Sequence, residues 1–476
     1  MTVVLHWFRR DLRISDNTAL SAAAASGARV LPVFILEPAL RTGLDVGAAR
    51  LAFLLQSLES LRKNLAEIGC PLVVRQGRSE EELPRLCAET GAQSVFANKR
   101  YEPYAQARDR RVEDVLFRAG VAFKLFKDAV IWEEQEILTQ AGQPYTVYTP
   151  YAKNWKQRPL PAPRPLFKFT ASGASPDLAP LPVPLNPGEF GHPLKQRIPA
   201  AGERAGLDAL RKFMAGPVLD YAVKRDRPDW AGTSQLSPHL RAGTIGIRAI
   251  LRELKLARSK ATATQAAGCD VFLNELIWRE FYQQVLHNFP HVMKGAFRPE
   301  FNRLAWSENR AHFDAWCAGQ TGYPIVDAAM RCLNATGDMH NRLRMIVAMF
   351  LTKDLLINWQ WGERYFMQQL VDGDMAANNG GWQWSAGTGT DAAPYFRIFN
   401  PVSQGEKFDP AGAFVRLWVG ELGGFPPETI HCPWEAPLLL RKSGYPERIV
   451  RHEEQRELCL AMFQAAKRAT PHGRVT

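Results

Sequence analysis

The sequence predicts a doubly wound parallel α/β domain joined through a long connector to an all-α domain. Three observations carry this: alternating β-rich and helix-period stretches up to about residue 131, a proline-rich stretch after them, and apolar residues at i, i+3, i+4 spacings beyond about residue 201.

In the first part, β-rich runs occur at residues 3–8, 30–36, 71–74, 94–97 and 122–125, separated by helix-period stretches such as 48–68. Strands that alternate with helices pair in parallel, because each crossover returns the chain to the same end of the sheet. Asp16 or Asn17 reads as the N-cap of a helix over 19–25, with Gly27 as its stop. From 132 to 200 the periodicity dissolves, and the text from Arg158 to Pro165, with a proline at every second position from 159, indicates an extended connector. The domains are therefore placed at 1–131 and 201–476. Helices are expected over 207–214, 245–257, 271–288, 324–333, 340–356 and 362–370.

The chain has 476 residues, 46% of them hydrophobic, enough for more than one core. No apolar run is long enough to span a bilayer, and the first residues do not form a secretory leader; the expectation is a cytoplasmic protein with no membrane association. The seven cysteines are scattered and none forms a CxxC pair, which argues against a disulfide scaffold or a structural zinc. A net charge of +11 favours polyanionic partners, nucleic acid first. Ten of the 13 tryptophans fall at or after Trp230, so the C-terminal half uses large aromatic surfaces.

Compact hydrolytic and metal signatures are missing: there is no HExxH, GxSxG or GxxxxGK[ST]. The segment from Gly387 to Ala392 fits GxGxxA but follows no strand, and reads as a chance match. Helical spacing puts Glu275, Trp278 and Arg279 on one face, either around a planar ligand or as an internal Glu–Arg pair beside a core indole. It likewise groups Asn341, Arg344 and Met345 while Arg342 turns to another side. Asp372 and Asp374 read as helix caps before metal ligands, and residues 378–381, Asn-Asn-Gly-Gly, read as a turn.

These segments also occur together in one family. Trp7-Phe8-Arg9-Arg10-Asp11-Leu12-Arg13, Thr233 to Ser237, Asn274 to Tyr282, Thr321 to Met330, Met339 to Met345 and Asp372 to Pro401 resemble, in order and spacing, the photolyase/cryptochrome family, most of all its microbial class I members that act on cyclobutane pyrimidine dimers. The resemblance spans nearly the whole chain. It implies an antenna-type α/β domain and a helical domain that holds FAD. By matching position it implies that Tyr221, Thr233, Ser234, Gln235, Leu236, Ser237, Arg279, Arg344, Asp372 and Asp374 cradle the cofactor, with Asn378 at flavin N5. It implies a lesion pocket of Glu275, Trp278, Asn341, Met345 and Trp384, and an electron relay of Trp306, Trp359 and Trp382. Arg225, Arg342, Arg397 and Lys407 match positions that grip DNA phosphates.

The implied activity is light-driven repair of pyrimidine dimers in UV-damaged DNA by a monomer with no obligate protein partner and no metal. The alternatives are a (6-4) photolyase or a cryptochrome-type receptor. Against them, His340 is followed by Asn341 where (6-4) enzymes carry a second histidine, and Asn378 stands where plant cryptochromes carry Asp. A second, antenna chromophore, 8-hydroxy-deazaflavin or methenyltetrahydrofolate, is implied in residues 1–131. Tyr104-Ala105 replaces the Asn-Glu pair of folate-binding relatives, and Asp338 stands where the family often has Trp.

Overall fold

The computed structural model describes residues 2–43, 46–164, 182–392 and 394–468; part of the expected connector, 165–181, lies outside the described residues. Five parallel strands, β1 (Val3–Phe8), β2 (Arg29–Leu36), β3 (Val73–Gln76), β4 (Ala92–Asn98) and β5 (Ala122–Phe126), stand in the order β3-β2-β1-β4-β5. This is the doubly wound sheet expected, and the side-chain alternation of β1 shows why it is covered on both sides. Val4 and Phe8 face a core shared with helices Thr18–Ala25 and Ala48–Glu67, while Leu5 and Trp7 face one shared with helices Ser79–Thr90 and Pro103–Arg118. Asn17, not Asp16, caps the first helix, its side chain accepting from the Leu20 amide at 3.1 Å.

The strand order reverses between β1 and β4, the place where sheets of this type leave a crevice. Here the protein's own side chains fill it. Asn98 donates to Asp11 at 2.6 Å and to Asn17 at 2.8 Å, and Arg9 donates to Asp109 at 2.6 Å, all of them buried.

The described part of 132–200 is more ordered than its text suggested. Tyr148–Lys156 is a helix, and its Tyr151, Ala152 and Trp155 are buried in the same core as the long helix Ala263–Asn288. Glu280 of that long helix fixes the chain's entry, accepting from the Ile131 amide at 2.6 Å, the Trp132 amide at 2.9 Å and the Trp155 indole at 2.7 Å. The largest core gathers helices Pro324–Thr336, Asn341–Met349, Trp359–Gln369 and Met375–Ala386. The helix expected over 340–356 changes character partway: after Met349 a π turn, Phe350–Asp354, closes it.

The two halves meet through buried charge. Arg248 donates to Asp16 at 2.8 Å and to Asp128 at 2.6 Å, and Arg13 donates to the other oxygen of Asp128 at 2.7 Å. Burial alone would raise the Asp128 pKa; the two guanidiniums reverse this and hold it well below the usual carboxylate range. Gly243, at φ +73°, lets the helical half approach closely, since a Cβ there would fall 2.0 Å from the Arg10 carbonyl oxygen.

Candidate active site

The segments expected to hold the cofactor converge on the long helix and on the start of helix Met375–Ala386. Tyr221 opens the short helix Tyr221–Lys224; its buried ring packs edge-on against Phe272 of the long helix at 5.4 Å. Thr233 accepts from the Gln235 side-chain Nε2 at 2.9 Å, Ser234 accepts from the Leu236 backbone amide at 3.4 Å, Leu236 is buried, and Ser237 is exposed. Arg241, one turn further on, donates to the Gly373 carbonyl at 3.1 Å and so ties this segment to Asp372 and Asp374.

Arg344 donates to Asp372 at 2.8 Å and to the Met339 carbonyl at 2.7 Å. The second Asp372 oxygen is buried with no hydrogen-bond partner. Asp338 stands 3.7 Å from Arg344 as a second carboxylate, its pKa pushed up by burial and by the neighbouring Asp372 despite that guanidinium. Asp374 is an N-cap, accepting from the Ala377 amide at 3.2 Å. Asn378 donates to the Glu363 carbonyl at 2.9 Å. Residues 378–381, read from sequence as a turn, are helical. The reason is packing: a Cβ on Gly380 would fall 2.1 Å from the Tyr282 ring, so the glycine lets two helices touch.

The expected internal pair of Glu275 with Arg279 does not form. Glu275 pairs with Arg225 at 2.7 Å, and Arg279 donates to the Ala129 carbonyl at 2.8 Å. Burial lowers the Arg279 pKa, opposed by Asp374 and Glu280. Trp278 stacks on Tyr148, centroids 3.7 Å apart and planes 6° from parallel. Sequence reasoning passed over Tyr148; its signal was the aromatic text Tyr145-Thr-Val-Tyr-Thr-Pro-Tyr151 inside a stretch assigned to connector.

Arg342 does not turn away from Met345. Its guanidinium lies 3.8 Å from the Met345 sulfur, one i, i+3 step along the helix, drawn there by Asp226 at 2.8 Å and by the Phe408 ring beneath it. Asn341 is exposed at the helix start, which His340 caps by accepting from the Arg342 amide at 3.2 Å. Trp384 is half-buried, two residues beyond the buried Trp382. Lys407 and Arg397 are exposed, with Lys407 5.2 Å from the Phe408 centroid.

Trp382 and Trp359 are buried in the largest core, and Trp306 packs half-buried against it, a progression from interior towards solvent. A Cβ on Gly362 would fall 2.1 Å from the Trp382 ring, so the helix that Trp359 begins lies flush on that indole. The Trp382 Nε1 has no partner. The segment Gly387–Ala392 is not a dinucleotide loop; Gly387, at φ +78°, ends helix Met375–Ala386.

These residues fit a flavin dinucleotide. The free Asp372 oxygen beside the Arg344 guanidinium offers an acceptor and a donor to the edge of a pyrimidine-like ring, and the Thr233 and Ser237 hydroxyls are accessible to phosphates. Among the described residues, no cluster of His, Cys, Asp and Glu could hold a metal ion, and no helix is long and apolar enough to cross a membrane.

Two family models match: the DNA photolyase domain over residues 4–166 and the FAD binding domain of DNA photolyase over residues 272–465. The deoxyribodipyrimidine photo-lyase of Salmonella typhimurium is 43% identical, covering 98% of this chain and 100% of its own. Among solved structures, the class III photolyase of Agrobacterium tumefaciens superposes with a TM-score of 0.89 at 38% identity, covering 98% of each chain. The archaeal photolyase of Sulfolobus tokodaii, described with two FAD molecules, superposes at 0.83 with 32% identity, covering 98% of this chain and 100% of that one. Sheet order, helical core and full-length similarity agree: the chain belongs to the DNA photolyase family.

Proposed function

We propose that this protein is a deoxyribodipyrimidine photo-lyase, a carbon–carbon lyase that repairs cyclobutane pyrimidine dimers in UV-damaged DNA using light. When bound, reduced FAD supplies the excited electron donor. The reaction is redox-neutral: an electron enters the dimer, its two cyclobutane bonds open, and the electron returns. No general acid or base is required.

The observation that carries this reading is the placement of Glu275. It is a half-buried carboxylate, paired with Arg225, on the helix that also bears Trp278 and Arg279. Glu275 hydrogen-bonds the edge of a flipped-out dimer and Arg225 orients that carboxylate. Trp278, Met345 and Trp384 supply apolar surface for the dimer's saturated rings, and Asn341 a polar contact at the rim. Such a dimer is inexpensive to extrude, since damage has already weakened its stacking; photolyases are themselves among the standard examples of base flipping. Arg225, Arg342, Arg397 and Lys407 contact backbone phosphates. Asp372, Arg344, Arg279, Asp374, Asn378 and the Tyr221 and Thr233–Ser237 segments hold the cofactor. Trp382, Trp359 and Trp306 would form the path by which electrons from an external reductant reach it. A light-collecting pigment in residues 1–131 completes the proposal, and an absorption band beyond those of flavin in the purified protein tests it.

The central test is an oligonucleotide carrying one cyclobutane dimer, mixed with the reduced holoprotein, illuminated and separated by chromatography. Light-dependent recovery of the intact pyrimidines is expected, and an oligonucleotide with a (6-4) product stays unchanged. Repair of the (6-4) product alone, or no repair of either, overturns the proposal.

A further inference from the structure

The loop between the two segments assigned to the cofactor carries a tryptophan that stands outside the hydrophobic cores. Trp230 keeps 43% of its surface exposed and joins none of the hydrophobic clusters among the described residues. It is nevertheless held firmly. Asp229 grips Arg227 through two hydrogen bonds, 2.8 and 2.6 Å, and the Arg227 guanidinium lies 4.3 Å from the Trp230 ring centroid. The backbone is tight as well: the Trp230 amide donates to the Arg227 carbonyl at 3.3 Å, the Gly232 amide to the Trp230 carbonyl at 2.9 Å, and a Cβ on Gly232 would fall 2.6 Å from the Lys224 carbonyl oxygen.

The same loop touches the proposed lesion pocket. Arg225 pairs with Glu275 at 2.7 Å and Asp226 with Arg342 at 2.8 Å, so residues flanking Arg227 are already engaged there. A strand that delivers a dimer to Glu275 therefore passes within a few residues of Trp230. An indole with a guanidinium on one face, pre-set in position, is a platform for a nucleobase: every base has a π face, and the neighbouring cation attracts the strand. Because the ring is braced before binding, little side-chain entropy is lost on contact.

We propose that Trp230 stacks on an unpaired base of the lesion-bearing strand beside the flipped-out dimer, with Arg227 bracing the ring and adding charge. The proposal rests on the lesion-pocket reading above. Nucleic acid fits better than a protein partner, because the indole stands on the loop whose Arg225 and Asp226 engage Glu275 and Arg342, in a chain of net charge +11.

The test measures dark binding by the FAD-loaded protein, its flavin absorbance serving as the folding control. The probes are an isolated thymine dimer dinucleotide, a short single-stranded oligonucleotide with a central dimer, and the corresponding duplex. Trp230→Ala is expected to bind the single-stranded oligonucleotide roughly five- to tenfold more weakly, to bind the dinucleotide as before, and to be largely rescued by Trp230→Phe. Unchanged affinity for the single strand overturns the proposal, as does a loss confined to the duplex, or an equal loss for the dinucleotide, which would report a disturbed pocket. Failure of the unsubstituted protein to bind any dimer probe would instead remove the repair reading on which the proposal stands.

Discussion

Glu275 and Trp306 separate two jobs that a repair assay alone would merge. Glu275 holds a charged hydrogen bond to Arg225, and its loss leaves that half-buried guanidinium only the more distant Asp226 carboxylate, 3.9 Å away. Glu275→Ala should weaken dimer binding by about 1.5–3 kcal/mol and lower the repair yield, measured by titration and by repair under steady light; unchanged values would take Glu275 out of the pocket. Trp306 is assigned to neither the cofactor segments nor the pocket around Glu275; it is the half-buried end of the tryptophan series. Trp306→Phe should remove most light-driven reduction of oxidised flavin while repair by chemically reduced protein continues nearly unimpaired. Equal loss of both would break the relay assignment. At this scale the sequence was only partly legible. Spacing correctly grouped residues by helix face, but partners came from elsewhere in the chain: Glu275 found Arg225 and Arg279 found a backbone carbonyl, choices that no local pattern encodes.

Elements were more readable, because amphipathic periodicity is local information. The five expected strands and the six helices expected beyond residue 201 all overlap observed ones, β3 starting two residues late, whereas Met375–Ala386 and His452–Arg468 were not foreseen. Helix Tyr148–Lys156 was missed because it is short, carries Pro150 within it, and gains its order from Glu280 and the long helix rather than from its own text. Residues 378–381 failed in the opposite direction: two asparagines and two glycines favour a turn, and contact between helices overrode that propensity. This gives a prediction for the element itself. Gly380→Ala forces the Tyr282 ring or the helix to move, and should cost about 1–3 kcal/mol, read as a lower midpoint of thermal unfolding together with reduced flavin content. A variant as stable and as yellow as the parent would show that the two helices are not in that contact.

For the whole molecule, buried histidines tie stability to pH. His6 is fully buried, neither ring nitrogen has a hydrogen-bond partner, and burial lowers its pKa to about 4 despite Asp11 nearby; His239 and His340 are likewise lowered to about 4 by burial. Unfolded histidines take up protons near pH ~6.5, so the unfolded state binds more protons as the solution is acidified. The contribution of His6 is thus complete above that value and is lost as pH falls towards 4. Urea unfolding of His6→Leu should show a shallower loss of stability between these limits, by up to about 1.4 kcal/mol per pH unit; parallel curves for variant and parent would contradict a neutral His6. The buried lattice of Arg13, Asp16, Asp128 and Arg248 acts on a different timescale. Its members come from both halves of the chain, and each stranded charge would cost several kcal/mol. Exchanging one half for that of a distant relative succeeds only if both sides of the lattice travel together, so the fold is inherited as a single unit although it reads as two.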